Sequence, residues 1–443
     1  LIRINLFEFF SPHRGLAVHK KTIFFVTTSR RFAMTYAIAE HQAHSLFPDF
    51  VARRMDLHYV TRINQLLGGE HPHAWQPTPA NAVFLAGNDY LCLAGEPALV
   101  SAQVKALQHS QGEMLMSAVY LQEGSAQHRL ERKLARFMGA EDGILAQSGW
   151  AANVGLVQTL AGPGIPVYLD MQAHASLWEG VQSAGALPVS FLHNDMEHLQ
   201  KQLQRHGRGL IVVDALYSTN GSVAPLAELV EIAERSGCML IVDESHSLGT
   251  HGPRGAGLVA ALGLSDRVHF RTASLAKAFA GRAGFISCSS YFKGYFLSES
   301  RPAIFSSCLL GHELAWFDAA IDFIAAADDR RATLHAHARE LREELSALGY
   351  NVSDGSEQII ALEPGPEPKT LALRKLLENH GVYGAMFCAP ATPKNRSLVR
   401  LTLNSGLDRA QLASIVHACD AIRGQVELEN WSSTRRLRKL ALV

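Results

Sequence analysis

The sequence lacks the marks of several large protein classes. Its 41 Lys and Arg balance 41 Asp and Glu, so no excess charge offers a footprint for nucleic acid. No apolar run approaches the roughly 18 residues that a membrane-crossing helix needs. The best candidate, Ala315 to Ala327, is broken by Asp318 and Asp322. The six cysteines stand singly, with no Cys-x-x-Cys pair. That argues against a thiolate zinc site or a disulfide framework, and a reducing, cytoplasmic setting is expected. His71-Pro72-His73 has no third ligand nearby and reads as a solvated loop, so no metal is expected.

What is present is a globular composition, 47% hydrophobic over 443 residues, enough for two or three domains. Residues 1–45 carry Phe pairs, Lys20-Lys21 and Arg30-Arg31 without a clear period. They read as an extension or disordered arm, with a targeting segment as the alternative. Residues 46–95 read as a helix with Phe50, Val51, Met55, Tyr59 and Ile63 at helical spacing, then a Pro-rich linker and a short strand near Val83. From 96 to 315 apolar strands alternate with amphipathic helices. Leu210 to Asp214 and Met239 to Asp243 are continuous runs, as in strands buried on both faces. The pattern predicts a doubly wound, mostly parallel α/β domain. Residues 316–425 open on one long helix, whose His335 and His337 read as solvated, and continue as a smaller α+β domain. Residues 426–443 form a short basic tail to which no partner is assigned.

The chemistry gathers around Thr272-Ala273-Ser274-Leu275-Ala276-Lys277-Ala278-Phe279-Ala280. A lysine among such neighbours loses the ammonium form as it is buried, and a neutral amine can make a Schiff base. Ligands of parallel sheets collect beyond the carboxyl ends of the strands. Ser148-Gly149-Trp150 sits at such an end and opens a helix whose N–H groups can hold a phosphate. Asp243-Glu244-Ser245-His246 sits at another, and Lys277 follows a third. Each alone has a plainer account, a helix cap or an interior histidine. Together, a phosphate cradle, an acid and then a lysine are what a pyridoxal phosphate site requires, the acid keeping the ring nitrogen protonated.

The chain from about 48 to 422 resembles the α-oxoamine synthases, a fold-type I pyridoxal phosphate family that joins an amino acid to an acyl-CoA. The matching stretches are Asn88-Asp89-Tyr90-Leu91, His128-Arg129-Leu130-Glu131, Ser148-Gly149-Trp150, His174-Ala175-Ser176-Leu177, Tyr217 to Gly221, Val242 to Gly249, Ser274 to Lys277, Phe305-Ser306-Ser307 and Arg400 to Leu403. Ser176 to Gly180, Asp243 to Pro253, Thr272 to Lys277 and Phe387 to Thr392 bring it nearer to the branch making α-hydroxyketone or aminoketone quorum-sensing autoinducers. The biosynthetic branches are the nearest alternative; an aminotransferase and a catalytically silent partner subunit are more distant ones.

The resemblance implies pyridoxal 5'-phosphate as cofactor, an acyl-CoA and an amino acid-type donor as substrates, and a homodimer. It implies Lys277 as Schiff-base and proton-transfer residue, Asp243 on the ring nitrogen, His246 on the ring hydroxyl and His174 against the ring face. Ser148, Gly149, Trp150 and Ser274 would hold the phosphate, Ser218 would lie near the ring, and Ser306 and Ser307 would reach the neighbouring subunit's phosphate. Arg400 would hold the donor carboxylate, and Asn88 would lie at the substrate entrance. Two departures stand out. Glu113 to Ala118 is rich in Met and Leu where many relatives have Gly, Ser and Arg, which suggests either an acyl channel or plain core. Ala276, Ala278 and Ala280 stand where relatives have glycine.

Overall fold

A computed structural model of the chain describes residues 47–74, 78–109 and 116–440, without the side chains of 438–440. The expected arm 1–45 and half of the Met-Leu stretch, 113–115, lie outside the described residues. The chain divides into two compact units, Leu1–Thr61 and Arg62–Val443. In the first, the predicted helix appears as Asp49–Asp56, followed by a π-helical segment that begins at Leu57.

Among its described residues, the second unit holds two sheets. Seven strands lie in the order β2 (Asp142–Ala146), β8 (Gly284–Cys288), β7 (Phe270–Ser274), β6 (Met239–Asp243), β5 (Leu210–Asp214), β3 (Pro166–Asp170), β4 (Leu187–Phe191). Only β8 runs against its neighbours. The side-chain period of two decides what each strand presents to each face. On β5 and β6, Ile211, Val213, Leu240 and Val242 pack into one apolar cluster with Leu199, Leu229 and Val230. Leu210, Val212 and Ile241 pack into the other with Leu156, Val157 and Leu177. Both faces are covered, which explains the unbroken apolar runs. The same alternation places Asp243 on the Ile241 face and Glu244 on the opposite one.

The smaller sheet has the order β1 (Val83–Leu85), β10 (Val382–Phe387), β11 (Ser397–Thr402), β9 (Ile359–Gly365). Its edge strand β1 pairs parallel to β10, with Val83 opposite Val382. The stretch 46–95 therefore supplies a strand to this sheet as well as a helix and linker. The single long helix expected from Trp316 is two, Gly311–Ala326 and Asp328–Ala347. The ladder breaks at Ala327 (φ −93°, ψ 40°), whose amide reaches back to the Ile324 carbonyl at 3.1 Å, and the Arg331 guanidinium donates to the same carbonyl at 2.6 Å. The first of the pair packs on the helices Pro97–His109 and Ala126–Met138 and so belongs to the larger layer.

His335 and His337 are half buried, not solvated; His335 packs on the loop after β6, where its Nε2 meets the Thr250 carbonyl at 2.9 Å. The basic tail also finds partners. Arg436 pairs with Glu363 at 2.6 Å and Asp354 at 2.7 Å, and Trp431 lies buried edge-on to Tyr350. No helix among the described residues is long and apolar enough to cross a membrane, and the six cysteines form no disulfide.

Candidate active site

The carboxyl edge of the large sheet gathers most of the expected residues. β6 ends at Asp243, in register with Asp214 on β5 and Thr272 on β7. Asp243 is buried. Its Oδ2 accepts from Asn153 Nδ2 at 2.7 Å, and its Oδ1 from the Ser245 amide at 2.8 Å and hydroxyl at 2.5 Å. A carboxylate offers about four acceptor positions, so three bonds leave one free.

Ser148 caps the helix Gly149–Leu160 by accepting from Ala151 N at 3.1 Å. The first N–H groups of a helix have no partner within it, which leaves those of Gly149 and Trp150 for an anion. Gly149 abuts the end of β7 so closely that a Cβ there would stand 2.6 Å from Ser274 Cβ. That contact sets the Ser274 hydroxyl beside the helix start. His174 caps the helix Ala175–Ala184, with its amide on Asp214 Oδ1 at 3.1 Å and its Nδ1 on Ser176 Oγ at 2.7 Å. Burial lowers the His174 pKa, with Lys277 adding to this and Asp243 opposing it. His246 is buried, and its Nδ1 lies 2.5 Å from Tyr90 OH. Burial, then Lys277 and Arg400, hold its imidazole neutral far below the usual range.

Lys277 follows β7 in a tight loop, with Ala280 N on its carbonyl at 2.9 Å. Burial first, then the Arg400 charge, bring its ammonium down to about 8, while Asp243 pulls the other way. Arg400 comes from β11 of the small sheet. Its guanidinium donates to Ser218 O at 2.9 Å and Asn88 Oδ1 at 3.1 Å, and lies 4.5 Å over the Phe387 ring. Its Nε is buried without a partner, and that unmatched donor fits a carboxylate ligand.

Ser306 and Ser307 are engaged elsewhere in their own chain: Ser306 donates to the Pro302 carbonyl, and the Ser307 carbonyl accepts from Gln147. Sequence reasoning missed Asn153 and Tyr90. Asn153 is a polar residue on an otherwise apolar buried face of its helix, a signal in itself. Tyr90 lay inside a quoted stretch but was given no role.

A buried lysine with a lowered pKa, an acid with a free acceptor position and a helix start beside a serine fit pyridoxal phosphate. With the sheet order above, they define a fold-type I pyridoxal phosphate transferase. A family model described as "Aminotransferase class I and II" matches residues 80–419. The chain is 42% identical over 382 residues to the CAI-1 autoinducer synthase of Vibrio campbellii, covering 86% of this chain and 97% of that one. It is 32% identical to the 8-amino-7-oxononanoate synthase of Anaeromyxobacter dehalogenans, covering 77% and 86%. A solved serine palmitoyltransferase from S. paucimobilis superposes with a TM-score of 0.79 at 27% identity, covering 86% and 99%. The chain belongs to the aminotransferase class I and II family, and within it to the α-oxoamine synthases.

Proposed function

We propose that this enzyme joins an amino acid-type donor, S-adenosylmethionine or 2-aminobutyrate, to a fatty acyl-CoA and releases an aminoketone precursor of a quorum-sensing autoinducer. The observation that carries the chemistry is the buried amine of Lys277 with a pKa of about 8, between Asp243 and Arg400. The relationship to the autoinducer synthase of V. campbellii supports the choice of product.

Bound pyridoxal phosphate supplies an aldehyde for amines and a ring that accepts the electrons of a deprotonated donor. The chain's own groups do the rest. Lys277 would hold the cofactor at rest and, with the donor bound, would take the donor's Cα proton, a task suited to a buried amine whose pKa is lowered to about 8. Asp243, through its free acceptor position, would keep a proton on the ring nitrogen of the bound cofactor. His174 would lie against the bound ring, and neutral His246, oriented by Tyr90, would donate to the cofactor. Gly149, Trp150 and Ser274 would hold its phosphate, with Ser218 nearby. Arg400 orients the donor carboxylate, and Asn88 fixes the guanidinium from the entrance side. A carbon–carbon bond forms between the donor Cα and the acyl carbonyl, CoA leaves, and in the simplest route CO2 follows.

The enzyme works as a homodimer in which Ser306 and Ser307 complete the partner's phosphate site. Exposed Met116, Tyr120 and Phe305 offer an apolar contact beside them. Cysteines that form no disulfide suit a reducing cytoplasm. Mass spectrometry of products from a panel of donors and acyl-CoAs tests the reading. A product that keeps both the acyl chain and the donor nitrogen is expected. An oxo acid formed with the thioester intact would instead mark an aminotransferase.

A further inference from the structure

Beyond the turn that carries His246, three metal-ligating side chains converge. His251 Nε2 stands 2.9 Å from Glu357 Oε2, and His335 Nδ1 stands 3.5 Å from the same oxygen. The two imidazole rings meet edge to face, with centroids 4.7 Å apart. One donor atom from each residue lies within 4.8 Å of those of the other two.

The outer ring nitrogens decide where the protons are. The Thr250 hydroxyl lies 3.1 Å from the carbonyls of both His246 and Ser247, so its proton is spent there. Toward His251 Nδ1, 2.9 Å away, the hydroxyl therefore accepts, and Nδ1 carries the hydrogen. His335 Nε2 faces the Thr250 carbonyl at 2.9 Å, and a carbonyl can only accept, so Nε2 is the protonated nitrogen there. In neutral imidazoles this leaves lone pairs on His251 Nε2 and His335 Nδ1. Both point at a carboxylate oxygen that also has only lone pairs to offer. With both rings neutral, three acceptors face one another, and either protons or a metal cation must match them; with no metal bound, the hydrogen bond to Glu357 raises the His335 pKa and draws a proton there.

We propose that His251, His335 and Glu357 bind one divalent transition metal of the zinc type, with a fourth position open to water. Zinc lies about 2.0–2.2 Å from imidazole nitrogen and carboxylate oxygen, which sets tetrahedral ligands roughly 3.3 Å apart. The separations of 2.9 and 3.5 Å bracket that value. Two imidazoles and one carboxylate favour zinc over calcium or magnesium. Histidine ligands typically donate their second N–H to a carbonyl or other acceptor, as both do here through Thr250. Side-chain exposures of 8% for His251, 27% for His335 and 22% for Glu357 leave a route for the ion. The metal is a clasp: His251 follows β6, His335 lies on the helix Asp328–Ala347, and Glu357 immediately precedes Gln358, whose side chain donates to the His246 carbonyl at 2.9 Å. Metal binding thereby fastens the backbone under His246 to the start of β9.

Cobalt(II) serves as the probe, added to full-length, tag-free holoenzyme after chelation. One cobalt per chain, with the intense visible bands of a tetrahedral site and a raised thermal midpoint, is expected. Glu357→Gln, which keeps the side-chain shape, and His335→Asn should each weaken cobalt binding by about 100-fold or more and remove the rise in midpoint. Wild-type protein that takes up no stoichiometric cobalt, or uptake that survives both substitutions, overturns the proposal. Stabilisation on mild acidification without any metal effect would overturn it too, since protons would then be holding the cluster.

Discussion

Asp243 and Glu244 are neighbours in the chain, both buried and both acidic, yet they end in opposite situations. Glu244 faces Arg271, itself 2% exposed. Each of its three nitrogens has a partner: Nε donates to Glu244 at 2.5 Å and the other two to the carbonyls of Ala256 and Met138. Glu244 also accepts from Ser247 Oγ at 3.1 Å and Val259 N at 3.0 Å. Every charge there is answered within the protein. Around Asp243 the accounts stay open: a free acceptor position, a lysine with lowered pKa, and an arginine nitrogen without a partner. A buried charge that is fully matched holds the fold together, and one left partly unmatched waits for a ligand.

The comparison can be broken or sharpened from either side. Lys277→Ala should lower turnover by about 10⁴-fold or more while the cofactor-free protein keeps its fold; turnover near the wild-type rate would remove the open cluster from the chemistry. Glu244→Gln should do the reverse, costing about 3–5 kcal/mol of stability by leaving Arg271 charged and uncompensated. Denaturant unfolding of the apoprotein measures this, and Asp243→Asn in the same assay should cost clearly less.

The third expectation concerns pH. Lys277 titrates near 8 when folded and near 10.5 when unfolded. Between these values the unfolded chain holds the extra proton, so this group's contribution makes the apoprotein more stable as pH rises from about 8 to 10.5. The rate at which apoprotein takes up cofactor should climb about tenfold per pH unit below 8 and level off above it. A rate flat from pH 6 to 9 would contradict a buried amine at Lys277. The smallest effect is local. Ala280 closes the lysine loop at φ +48°, a left-handed conformation that costs a residue with a Cβ about 1–2 kcal/mol. Ala280→Gly should stabilise the protein by about 1 kcal/mol, after the greater chain entropy of glycine is set against it.

Much of this was legible in the sequence. The apolar runs of β5 and β6 announced a sheet covered on both sides, and each run ended on an acid. Lys277 declared itself by the small, apolar residues around it. The rest depended on long-range packing. Nothing near Thr250 signals that Glu357, more than one hundred residues on, will face its neighbour His251. His335 looked like a solvated residue because its own helix is rich in Arg and Glu, and only the loop packed against it buries the ring. The helix break at Ala327 carries no proline or glycine to mark it, and Asn153 shows its purpose only once β6 is beside it.

The pairing of β1 with β10 has a consequence for biosynthesis. Val83 leaves the ribosome roughly 300 residues ahead of Val382, so the edge strand must wait, unpaired, through most of translation. Contacts that distant slow the search for the native topology, and exposed strand edges are where nascent chains stick together. Yield in a heterologous host should therefore depend on chaperone supply and growth temperature more than on the robustness of the finished enzyme.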